Sequence, residues 1–132
     1  MFLVLAGLPC FSVMALQQKL CPFQAPVGEA GLRKYRATKK VMPIYPTESL
    51  KNGISGRVVV EILVDEHGKV PEAKVKQAPD VLTGQAVVDA AIQWKFKPPP
   101  KIQDRQICYS STLSFRFEIV NGKGKVVDDA AN

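Results

Sequence analysis

The sequence predicts a small α+β domain: a three-stranded antiparallel sheet with two helices on one of its faces. Three stretches carry that expectation. GRVVVEILVD, Gly56–Asp65, alternates apolar and polar-tolerant positions with the period of a strand. TGQAVVDAAIQW, from Thr83, repeats apolar residues at Val87, Ala91 and Trp94, the i, i+4, i+7 spacing of an amphipathic helix. Ile107–Val120 alternates again, Tyr109, Leu113, Phe115, Phe117 and Ile119 against Ser110, Thr112, Ser114, Arg116 and Glu118. With 132 residues, 46% hydrophobic and 23% charged, the chain fits one globular domain with a single core.

Taken in order, MFLVLAGLPCFSVMA has no charged side chain before Lys19. It is too short for a comfortable span of about 20 residues. Small residues Val13 and Ala15 stand at −3 and −1 before Leu16, so residues 1–15 read as an export signal. Its removal takes away Cys10 and leaves Cys21 and Cys108. An oxidising compartment permits these two to pair, and two independent thiols remain the alternative. Residues 16–41, with Pro22, Pro26, Gly28, Gly31 and the basic stretch Arg33–Lys40, show no period and read as a leader or linker.

The ordered domain is expected over 42–120. Pro46 presets the first turn of a short helix over Glu48–Asn52, with Thr47 or Tyr45 as cap, Leu50 facing the core and Gly53 ending it. After the strand Gly56–Asp65, Glu66–Gly68 turns the chain into a second strand, Val70–Gln77. Pro71 lacks an N–H and confines that strand to a sheet edge or a bulge. Thr83 is the expected N-cap of the main helix. WKFKPPP, Trp94–Pro100, reads as a helix stop: Trp94 and Phe96 anchor the core, Lys95 and Lys97 face water, and the prolines forbid continuation. NGKGKVVDDAAN, 121–132, is expected to be a disordered tail.

Little in the chain carries catalytic chemistry. His67, the single histidine, sits in a turn beside Asp65 and Glu66 and is expected to be solvated. No metal-binding, nucleophile or phosphate-loop motif is present, so no enzyme, no cofactor and no metal are expected. The formal charge of +6 favours acidic partners, but the basic residues are scattered. The aromatics of WKFK alternate with lysines instead of forming a stacking platform, so nucleic acid is not expected as a partner. What remains is the long last strand. If its other side is open, its N–H and C=O groups can take up a partner chain as an added strand.

The order of IYP (Ile44–Pro46), GISGRVVVEILVDEHGKV (Gly53–Val70), VVDAAIQW and WKFKP resembles the C-terminal domain of TonB-like energy transducers, over about 42–120. The resemblance implies a periplasmic module of a Gram-negative bacterium, linked to transmembrane transport. It would bind a short segment of a TonB-dependent outer-membrane receptor by β-strand addition to the last strand. It further implies that Thr112, Ser114, Arg116 and Glu118 supply that strand's contacts, with Tyr45 and Pro46 beside them. Two other readings stay open. One is a shortened transducer whose N-terminal segment stays uncleaved in the inner membrane; only then would the chain touch a membrane. The other is a homodimer made by pairing of edge strands.

Overall fold

The computed structural model describes residues 24–26, 37–101, 103–104 and 107–129; the segment expected to be an export signal, 1–15, lies outside them. The strongest alternating segment becomes the centre of the sheet. Strand β3, Gly56–Val64, places Val58, Val60, Ile62 and Val64 on one face, each at most 1% exposed. It is flanked by β4, Glu72–Gln77, and by the long β6, Cys108–Val120, both antiparallel to it. β4 stands at the sheet edge, where Pro71 costs no ladder hydrogen bond.

Two helices cover the face that carries those valines. The first, α1, runs Thr47–Lys51, and the second, α2, Val81–Ala91. The residues that cap and fill them differ from expectation. Pro46 is the N-cap of α1, and Ser49, not Leu50, is its buried residue. Asp80, not Thr83, caps α2: its carboxylate accepts from the Thr83 N–H at 2.8 Å and the Thr83 hydroxyl at 2.6 Å. Three positions separate a capping oxygen from the amide it satisfies, so Thr83 is the residue being capped. Asp80 also accepts from the Ser49 hydroxyl at 2.7 Å, which ties the two helices together. α2 ends at Ala91, and Trp94 lies just beyond it, its N–H on the Ala91 carbonyl.

The WKFKPPP stretch behaves as its pattern predicts: Trp94 and Phe96 are buried, and Lys95 and Lys97 are exposed. Trp94 donates its indole N–H to the Val41 carbonyl at 2.8 Å, and its ring meets Phe115 edge-on, centroids 6.2 Å apart. Lys95–Phe96 forms β5, paired with β2, Ala37–Lys39, in a small second sheet. The Asp65–Gly68 turn docks on it, Phe96 N–H donating to the Gly68 carbonyl at 2.8 Å.

Three expectations need correction. The main sheet has five strands, not three. The segment expected as leader contributes β1, Gln24–Pro26, parallel to β6 with Gln24 opposite Cys108, as well as β2. The tail expected to be disordered instead returns as β7, Lys123–Asp128, antiparallel to β6. Asn121 and Gly122, at φ of 53° and 76°, make the two-residue turn that matches strand twist. Both additions are held by main-chain pairing, which needs no hydrophobic period of its own and so leaves little trace in composition.

Candidate functional site

The side of β6 away from β3 is where a strand would be added, and most of it is occupied. β1 pairs with residues 108–110 and β7 with 115–120, leaving 111–114 between the two registers. Arg116 lies opposite Val127 and Glu118 opposite Lys125, so the two residues expected to meet a partner meet β7. Among the described strands, the edge on this side of the sheet has moved outward by one strand, to β7.

A charged clasp ends this hairpin. Asp129, just past β7, sits between two guanidinium groups, Arg116 Nε at 2.6 Å and Arg57 Nε at 3.2 Å, and its side chain is only 17% exposed. Arg116 also reaches Glu118 at 3.6 Å. Both arginine side chains are about half exposed, so each pair contributes little alone, about 0.2–1 kcal/mol. Their joint effect is positional: the end of β7 is fixed over the sheet face opposite the helices.

On the helix face, Tyr45 fills the corner between the chain entering α1 and the hairpin. Its ring meets Phe117 edge-on with centroids 5.0 Å apart and packs on Gly124 of β7. Its hydroxyl donates to the Ile54 carbonyl. Burial, and then the negative charge of Asp80, push its phenol above the usual tyrosine value. Asp80 is held below the usual carboxylate range, chiefly by the Thr83 hydroxyl.

Beside this corner the extended segment 41–46 runs alongside α2, and the two enclose an apolar groove of about 350 Å³. Met42, Ile44, Pro46, Leu82 and Ala86 line it, and Asp89 at its rim is held by the Gln85 amide at 2.8 Å. Ile44 is 82% exposed and Leu82 45%. No group of side chains that could hold a metal ion occurs among the described residues. His67 is exposed in its turn, facing Glu66 at 3.4 Å.

A central antiparallel sheet with two helices on one face is matched at the level of the family: the Gram-negative bacterial TonB protein C-terminal domain covers residues 41–119. The chain belongs to that family. Among solved structures it is similar to the C-terminal domain of TonB from Pseudomonas aeruginosa, determined by solution NMR. The TM-score is 0.51 and the identity 23%, over 64% of this chain and 85% of that one. No curated protein matches the chain. Membership in the TonB C-terminal family makes this a periplasmic TonB-like domain with a role in transport. No helix among the described residues is long and apolar enough to cross a membrane.

Against the TonB-like site expected from sequence, the structure divides the named residues. Thr112, Ser114, Arg116 and Glu118 share the face of β6 opposite the helices, whereas Tyr45 and Pro46 lie on the helix side. Thr112 and Ser114 fall within 111–114, between β1 and β7. Cys108 is disulfide-bonded, and Cys21 lies outside the described residues. Missed entirely were the β7 edge, Asp129 and the groove. The Asn121–Gly122 pair between two apolar runs was the available signal for the hairpin. The exposed Ile44 has no sequence signature, because exposure is set by what packs nearby.

Proposed function

We propose that this chain is a non-enzymatic periplasmic binding module that docks an extended segment of a TonB-dependent outer-membrane receptor as an added strand along β7. The observation that carries the reading is the position of β7: among the described strands it is outermost on its side of the sheet, paired on its inner side with β6. An outermost strand presents a row of main-chain donors and acceptors, which give affinity without demanding a particular sequence. Lys123 and Lys125 on this strand favour a segment that is neutral or acidic. Side-chain preference comes from the groove beside it. Tyr45 touches the β7 hairpin while its neighbours Ile44 and Pro46 line the groove, so one segment of chain serves both surfaces.

A chain ending at Val120 tests this directly against a labelled receptor segment in fluorescence anisotropy. Loss of binding with the fold intact supports docking on β7. Unchanged or tighter binding refutes it and places docking on β6 itself, at the edge that β7 covers.

A further inference from the structure

We infer that the small β2–β5 sheet is a contact surface for anionic phospholipid, with Lys39, Lys69, Lys95 and Lys97 meeting the headgroup phosphates. These lysines are spread along the sequence, and the fold gathers them. Lys39 of β2 lies opposite Lys95 of β5, and Lys69 bridges to Lys95 from the other side. Residues directly opposite in neighbouring strands share a face, and Lys97, two positions after Lys95, returns to it. All four residues are exposed.

The row is costly to the protein on its own, because like charges directly opposed across strands are destabilising. Strands lie about 4.8 Å apart, so the outer two of the three opposed lysines stand about 10 Å from each other. That is about one Debye length at ordinary salt, so the charges act together. Among the described residues, no carboxylate lies within ion-pairing distance of any of the four. The acids of the adjoining turn are engaged elsewhere. Asp65 accepts from the His67 and Lys69 N–H groups, both at 2.9 Å, and Glu66 faces His67. The backbone under the row is pinned as well. Phe96, next to Lys95, is buried and donates its N–H to the Gly68 carbonyl, and the Trp94 indole holds Val41, two residues after Lys39. Lys40 Nζ, 5.9 Å from the centre of the Trp94 ring, adds a fifth cation beside the row.

Two features favour lipid over an acidic peptide. Every member of the row is a lysine, a point charge on a flexible stem that suits many mobile phosphates, whereas a fixed anion site favours the arginine fork. The row also lies on a sheet face, and none of the four lines the apolar groove beside α2. Its place in the fold has a consequence. β3 runs from Gly56, opposite Phe117 in the region paired with β7, to Val64, opposite Tyr109, and Lys69 follows that far end. The length of β3, about 25 Å, therefore separates the row from the β7 hairpin. A domain resting on lipid through these lysines turns the β7 edge away from the surface. That consequence rests on the strand-addition reading; the lipid contact does not.

Co-sedimentation of the full chain with phosphatidylcholine vesicles, neutral or with about one-third phosphatidylglycerol, tests the contact. Stronger partition onto the anionic vesicles is expected, and equal partition overturns the proposal. A lysine close to an anionic surface is worth about fivefold, so Lys69→Gln with Lys95→Gln should weaken the anionic partition about 25-fold. Lys123→Gln with Lys125→Gln removes the same charge at the other end of the sheet and should change it less than about threefold. Equal losses in the two double variants mean attraction by net charge alone and overturn the site, as does no loss in either. Displacement from the vesicles by poly-L-glutamate at equal anion concentration assigns the row to acidic peptide and overturns the lipid assignment. Melting temperatures check each fold, and Lys97→Gln, outside the strand pairing, serves should the Lys69 and Lys95 variant fail to fold. Receptor-segment anisotropy should be unchanged in the Lys69 and Lys95 variant, so failure of one reading leaves the other standing.

Discussion

Gly68 is where the turn after β3 meets the WKFKPPP stretch, and replacing it by alanine tests whether that contact organises the fold. At φ of 81° an added Cβ would lie 1.9 Å from the Phe96 carbonyl oxygen and 2.9 Å from its carbon. Holding alanine in this left-handed conformation costs about 1–2 kcal/mol. Relief of the clash requires backbone to move by more than 1 Å or so, against ordinary contacts near 3.5 Å. That displacement breaks the Phe96 N–H to Gly68 bond, worth about 1 kcal/mol, and disturbs the adjacent packing of Phe96. The expected destabilisation is about 3 kcal/mol, a large share of the 5–15 kcal/mol typical of a domain. Gly53 supplies the control, with a similar φ of 68° and nothing within 4 Å of an added Cβ. Gly53→Ala should cost only the conformational strain, about 1 kcal/mol. Urea titrations followed by the fluorescence of Trp94, which sits two residues from Phe96, measure both. Equal midpoints for the two variants would refute the reasoning, because only the close approach distinguishes them.

Further outcomes follow from single contacts. Asp80→Ala should cost about 1–2 kcal/mol in the same titration, through the lost cap of α2 and the stranded Ser49 hydroxyl. Because the folded-state Asp80 carboxyl is lowered, its contribution is fully present above its ordinary value near 4 and is lost as pH falls through the lowered value. Asp80→Asn should therefore flatten that part of the acid-stability profile measured by circular dichroism. Trp94→Phe removes the indole bond to Val41 and should destabilise by about 2 kcal/mol in thermal unfolding. Ile44→Asp should leave the melting temperature unchanged, since Ile44 is mostly exposed, yet weaken a receptor segment about tenfold in anisotropy if the groove takes part.

The parts of the fold legible in the sequence are those driven by burial. The alternation of β3, the apolar spacing of α2, the buried pair Trp94 and Phe96 and the edge position enforced by Pro71 each follow from side chains that must leave water or an N–H that is missing. Their boundaries were less legible: Thr83 was read as a cap because its hydroxyl suits one, and only the structure shows Asp80 three residues earlier taking that place. β1 and β2 were illegible for a different reason. Short strands recruited to an existing edge are stabilised by main-chain pairing, and proline or lysine within them looks like linker. The candidate site suffered most, since which side of β6 is open depends on those recruited strands. Arg116 is expected from the sequence to meet a receptor segment; in the structure its guanidinium meets Asp129 of the same chain.

Amide chemical-shift mapping of the oxidised protein against an unlabelled receptor segment tests strand addition most directly. Docking on β7 predicts the largest shifts along Lys123–Val127, smaller ones at Ile44 and Tyr45 where the groove begins, and little change along Glu72–Gln77 at the opposite edge of the sheet. Shifts confined to Glu72–Gln77, or none at saturating segment, would contradict it.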